Sequence, residues 1–160
     1  MFRRLRQGRG FSFIELLVVT SIILVLAGAV MPLARVTMQR QREIELRRAL
    51  REMRQKVDLY KLAVDQGQIG GTDVKLGSEG YPPDLDTLVE GITVAGDASA
   101  RKLRFLRRIP IDPMTKSTEW GLRAYQDDPD STSWGGKNVF DVYSKSEGTA
   151  LDGTKYNDWD

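Results

Sequence analysis

Two hydrophobic patterns run end to end along the first 66 residues. From Phe11 to Ala34 the chain is almost wholly apolar, with Glu15 the sole charge before Arg35. The 19 uncharged residues after Glu15 make about 28 Å of helix, close to the roughly 30 Å hydrocarbon core of a bilayer. The pattern then becomes amphipathic. Leu46, Leu50, Met53, Val57, Tyr60 and Val64 follow a 4-3-4-3-4 spacing, which is one apolar stripe of a helix. Arg47, Arg48, Arg51, Glu52, Arg54, Gln55, Lys56 and Asp58 fill the polar positions between them, and Gly67 is placed to cap the end. The spacing therefore predicts one helix from about Phe11 to Gln66. Pro32 removes a helical hydrogen bond and is expected to loosen that helix near Gly28, as prolines of membrane helices do. The stripe spans under three heptads, which suits the core of a small domain better than a coiled-coil seam.

Beyond Gly67 the signals are shorter. Residues 67–80 hold five glycines and read as a loop. Tyr81-Pro82-Pro83 is extended and leads into a short Leu-bearing helix. Gly91 to Ala100 reads as a small-residue loop, and Leu103 to Pro113 as a basic turn ending at two prolines. Glu119–Tyr125 and Asn138–Ser144 are the best strand candidates, because Trp120, Leu122 and Ala124 alternate, as do Val139, Asp141 and Tyr143.

Composition narrows the chemistry. The 160 residues include no histidine and no cysteine. That excludes a Ser-His-Asp triad, a cysteine nucleophile, a Cys/His zinc site and any disulfide. A stabilising metal would have to be a hard cation held by oxygens. Asp127, Asp128 and Asp130 surround Pro129, a pattern that makes turns more readily than a catalytic carboxylate pair, so no enzyme is expected.

Charge is divided sharply. Residues 1–10 carry Arg3, Arg4, Arg6 and Arg9 and no acid; residues 35–61 carry nine bases and four acids; residues 127–160 carry eight acids and three bases. Without the first ten residues the bases fall from 24 to 20 against 22 acids, and the net charge moves from +2 to −2. The basic pI thus says nothing about the rest of the chain, and the interspersed acids argue against a nucleic-acid partner. The basic flank before the apolar run predicts a cytoplasmic N-terminus.

Three readings fit this N-terminus: a cleaved secretory signal, for which Ala27-Gly28-Ala29 supplies a site, a plain membrane anchor, or a segment in which Glu15 has a task. Only the third accounts for a carboxylate inside an apolar run, where it is costly. Gly10-Phe11-Ser12-Phe13-Ile14-Glu15-Leu16 resembles the prepilin peptidase site of type IV pilins and type II secretion pseudopilins. The resemblance implies cleavage after Gly10, N-methylation of Phe11, and a Glu15 that neutralises the amine of Phe11 on a neighbouring subunit.

The remainder of the chain is similar to the major pseudopilin of type II secretion, the general secretion pathway protein G family. The similarity rests on Tyr81-Pro82-Pro83, Ile109-Pro110-Ile111-Asp112-Pro113, Phe140-Asp141-Val142-Tyr143-Ser144 and the closing Asn157-Asp158-Trp159. It implies an α+β pilin-like fold, a long N-terminal helix packed on a small antiparallel sheet. The divisions are a leader (1–10), a transmembrane helix (11–34), an amphipathic helix (35–66) and a periplasmic head (67–160). It implies self-polymerisation into a filament that drives folded proteins across the outer membrane. Its partners would be prepilin peptidase, minor pseudopilins, and an inner-membrane platform with its ATPase. A type IV pilin or minor pseudopilin, serving adhesion, motility or DNA uptake, and a membrane-anchored binding module stay open as alternatives. The family also implies a calcium ion in the C-terminal loop, with Ser144, Glu147, Asp152 and Asp158 as candidate oxygens. The chain departs from the family there: Glu147 replaces an expected Asp, a paired acidic cluster is missing, and Lys145 and Lys155 intrude.

Overall fold

The computed structural model describes residues 10–69, 74, 77–97 and 99–159, with the backbone alone described at Ala29, Met31 and Pro32. Residues 1–9, nearly all of the expected leader, lie outside this set. The fold is α+β. One helix, α1, spans Phe13–Asp65, and the elements after it are short: α2 (Leu85–Glu90), β1 (Ile92–Thr93), β2 (Lys102–Leu103), β3 (Gly121–Arg123), β4 (Asp141–Tyr143) and a closing 3₁₀ turn, Tyr156–Asp158. The chain divides into two compact units, one ending at Met38 and the other covering Gln39–Asp160.

In the first unit α1 carries the apolar run. Its most apolar 18-residue window has a mean hydropathy of 2.6 and buries nothing within the protein, so this helix is long and apolar enough to cross a membrane. Its hydroxyls are satisfied within the helix. Thr20 Oγ1 donates to the Leu16 carbonyl at 2.8 Å, Ser21 Oγ to Leu17 at 2.7 Å and Thr37 Oγ1 to Leu33 at 2.9 Å. Such back-bonding lets a polar side chain sit in an apolar medium. The backbone stays helical through Pro32.

In the second unit the stripe read from the sequence is the core. Leu46, Leu50, Met53, Val57 and Tyr60 are fully buried, and Val64 packs against them. Ala49 and Ala63 are buried alongside, as are Leu88, Trp120, Val139, Val142 and Trp159 from the rest of the unit. The helix ends in a Schellman turn: Gly67 takes φ +68°, its N–H donates to the Val64 carbonyl, and the Gln68 N–H donates to Ala63, both at 2.9 Å. The cap is thus at Gly67 as the sequence suggested.

The prolines set the next turn. Val139 N–H donates to the Pro82 carbonyl at 2.7 Å, tying the extended Tyr81–Pro83 stretch beside β4. Asp84 then caps α2, its Oδ1 accepting from the Thr87 N–H and hydroxyl, each at 2.7 Å.

Among the described residues the strands form two two-stranded antiparallel sheets, where the sequence suggested one. β3 and β4 fall within the two strand candidates and pair with each other, with Gly121 opposite Tyr143 and Arg123 opposite Asp141. The β1–β2 pair, Ile92 opposite Leu103, falls where the sequence read loop and turn. Two residues per strand are too few to show a period of two, and Gly91 (φ +80°) turns the chain out of α2 directly into β1.

Candidate functional site

Two places carry the residues singled out by sequence. The first is the start of α1. Gly10 and Phe11 precede the helix, and Phe11 is 76% exposed. The Leu16 N–H donates to the Ser12 carbonyl at 3.1 Å, so the first turn closes there and Glu15 lies inside it. A first turn is where unpaired N–H groups and the helix dipole favour a carboxylate, which lowers the cost of Glu15 in a lone subunit. Glu15 is exposed, and among the described residues no group pairs with it. Around it Phe13, Ile14, Leu16, Leu17 and Val18 are exposed as well. The arrangement is an exposed apolar helical segment with one carboxylate in its first turn and Gly10 and Phe11 just before it.

The second place is the C-terminal segment. Ser144 is buried at the end of β4, and its hydroxyl donates to Asp112 Oδ2 at 2.6 Å while accepting from the Ser146 N–H. Asp112, also fully buried, accepts the Met114 N–H on its other oxygen at 2.7 Å. This pair fastens the Ile109–Pro113 turn to β4. Asp152 is exposed and closes its own turn: Oδ1 accepts from the Thr154 N–H at 3.0 Å and hydroxyl at 2.6 Å, and Oδ2 lies 3.5 Å from Arg47. Those bonds, the Thr154 hydroxyl foremost, hold its carboxyl below the usual range. Glu147 and Asp158 are both exposed. Among the described residues no group of three or more acidic side chains is placed to hold a metal.

Sequence reasoning passed over the groups of α1 that meet this segment. One oxygen of Glu43 accepts from the Tyr156 hydroxyl at 3.0 Å, the Leu151 N–H at 2.9 Å and Gln39 Nε2 at 3.3 Å. Gln39 Nε2 also reaches the Thr149 carbonyl and the Tyr156 oxygen. Burial pushes the Tyr156 phenol up, which keeps its hydroxyl protonated and donating. Arg47 stacks 4.0 Å over the Trp159 ring, and Trp159 packs edge-on against Tyr156 at 5.1 Å. Arg54 donates to Asp141 at 2.6 Å, to the Val142 carbonyl at 3.0 Å and to the Trp159 carbonyl at 3.1 Å. The helical spacing 39, 43, 47 and 54 was the available signal, since it lines one edge of α1 beside the apolar stripe.

Asp127, the other acidic candidate, is a turn residue. Its Oδ2 accepts from Ala124 N–H at 2.7 Å and Gly135 N–H at 3.0 Å, and these bonds hold its carboxyl below the ordinary range.

A family profile described as "Prokaryotic N-terminal methylation motif" matches residues 5–31. The match covers the segment from the basic leader into α1 and includes Gly10, Phe11 and Glu15. The chain thus carries the prepilin-type signal of type IV pilin-like proteins, which suggests a structural protein, and the signal and apolar helix together fit a membrane-anchored protein. Neither curated proteins nor solved structures yield a match.

Proposed function

We propose that this chain is a structural subunit of a type II secretion pseudopilus. It is cut after Gly10, methylated at Phe11, held in the inner membrane by α1, and polymerised through that helix into a periplasmic filament. The observation that carries the reading is the methylation motif over residues 5–31, at the head of a helix whose apolar run is bare. A bare apolar helix finds its neighbours in lipid before assembly and in other helices after it. Past the membrane-length run, Ile44, Leu59 and Leu62 remain exposed on α1. Their spacings of 15 and 18 residues return to one side of the helix, away from the buried stripe, which suits continued helix–helix contact. Glu15 then supplies register, because a carboxylate in an apolar bundle is stable only opposite a cation, and the amine of a neighbour's Phe11 is that cation.

The alternative of a pilus subunit shares every step through assembly and differs in where the filament goes. The absence of cysteine favours the secretion reading over those adhesive pilins that staple their C-terminal loop with a disulfide.

Intact-mass and N-terminal peptide analysis of the protein taken from its native membrane tests the reading. A chain beginning at N-methylated Phe11 is expected. A chain beginning at Val30 would mean a secreted head, and the filament reading would fail.

A further inference from the structure

We propose that the C-terminal segment of this protein is locked to α1 by side chains of the helix and needs no calcium ion. The segment from Ser144 to Trp159 has little regular structure: one bridge, Thr149 to Lys155, and one 3₁₀ turn. Such a stretch must be fastened by something other than a sheet. In the related family that part falls to calcium, and two features here set calcium aside.

The first is that two of the four candidate side chains, Ser144 and Asp152, are already committed. Ser144 Oγ is given to Asp112 in the buried interior, and both oxygens of Asp152 face donors, Thr154 on one side and Arg47 on the other. Calcium binding asks for six to eight oxygens, with carboxylates prominent. Recruiting Asp152 means breaking its turn, and Glu147 and Asp158 stand exposed without a third acid beside them.

The second is that cations and donors already occupy the bridging positions. Arg54 binds the Asp141 carboxylate of β4 and two carbonyls, those of Val142 and Trp159, with one guanidinium. One side chain of α1 thereby joins β4 to the carbonyl of Trp159 near the end of the C-terminal segment. Arg47 covers the Trp159 ring and faces Asp152. Glu43 accepts the Leu151 N–H and the Tyr156 hydroxyl, so it ties both ends of the Leu151–Tyr156 turn to one helix position. The planar, always-charged guanidinium suits this role, since it holds several oxygens in fixed directions and does not depend on an ion's concentration.

The test uses the full chain in detergent, with thermal unfolding and amide exchange measured in saturating calcium chloride and in EGTA. A resident ion at a hundredfold excess over its Kd would raise the melting temperature by on the order of 10 °C. The expected shift is none, with the Leu151 and Thr154 amides equally protected in both conditions. Tyr156→Phe removes only the hydroxyl and is expected to speed exchange at Leu151 at least tenfold, again regardless of calcium. A calcium-dependent rise in melting temperature that Asp152→Asn abolishes would overturn the proposal. So would exchange at Leu151 that Tyr156→Phe leaves unchanged, because the lock would then lie elsewhere. Neither result bears on processing at Gly10 or on assembly through Glu15, which are read by mass and by sedimentation.

Discussion

Arg54 on α1 and Asp141 on β4 sit 2.6 Å apart, and Asp141's second oxygen is taken by Arg123 at 3.2 Å. The carboxylate is thus held between the helix and its own sheet, and each side chain of the Arg54–Asp141 pair is only about one fifth exposed. Because Arg54 also holds two carbonyls, its removal strands more than a single charge. Arg54→Ala is expected to cost about 2–3 kcal/mol, the range for lost hydrogen bonds to charged groups. Arg54→Lys keeps the charge but lacks the fork, and should cost about 1 kcal/mol. Urea unfolding of the full chain in detergent, followed by tryptophan fluorescence, measures both. A cost below about 0.5 kcal/mol for Arg54→Ala, as at an ordinary surface site, would sink this account.

Gly121 faces Tyr143 across the β3–β4 pair, and a Cβ built at Gly121 would enter the Tyr143 ring. The ring is fixed from two other directions, by Arg123 stacked at 4.3 Å and by its own hydroxyl donating to the Thr132 carbonyl at 3.1 Å. It has no easy way to yield. Gly121→Ala should destabilise by about 1–3 kcal/mol, as overpacking does. Paired with Tyr143→Ala the cost of the added methyl should largely vanish, so a double-mutant cycle must show strong coupling. Additive losses would mean that the ring is not what excludes a side chain there.

Glu15→Ala removes a carboxylate from an apolar helix and should leave membrane insertion intact or improved. Assembly should be lost, because nothing then answers the neighbouring amine. Membrane fractionation and sedimentation of crosslinked material separate the two effects. Wild-type assembly by the alanine variant would end the register role given to Glu15.

Acid should loosen the loop between β3 and β4. Asp127 is held below its ordinary value of 3.8 because the Ala124 and Gly135 N–H groups favour its charged form. A carboxyl depressed in the folded state stabilises fully above its unfolded pKa, and that contribution fades as pH falls through the folded value. The loss therefore belongs below about pH 3.8. Asp152 and Asp97 act in the same direction through their Thr154 and Ser99 contacts. Amide exchange at Gly135 should rise in that window, and Asp127→Asn should flatten its pH dependence. An unchanged profile in the variant would assign the acid sensitivity to other groups.

The sequence alone determined what depends on periodicity and on short-range backbone chemistry. The apolar run, the 46–64 stripe, the Gly67 cap and the places of β3 and β4 were legible there, because a helix or strand face repeats at fixed spacing and a glycine cap needs only its neighbours. So was the Gly10–Glu15 motif, a contiguous string that the methylation profile also matches. Tertiary structure decided what depends on residues far apart in the chain. No local pattern announces that Glu43 meets Leu151 and Tyr156, that Arg54 spans Asp141 and Trp159, or that Ser144 spends its hydroxyl on Asp112. The family resemblance placed four calcium candidates within one loop; only the folded chain showed that Ser144 already faces Asp112 and that Asp152 faces Thr154 and Arg47. Hydrogen bonding is directional and short-ranged, so composition can offer partners but cannot choose among them.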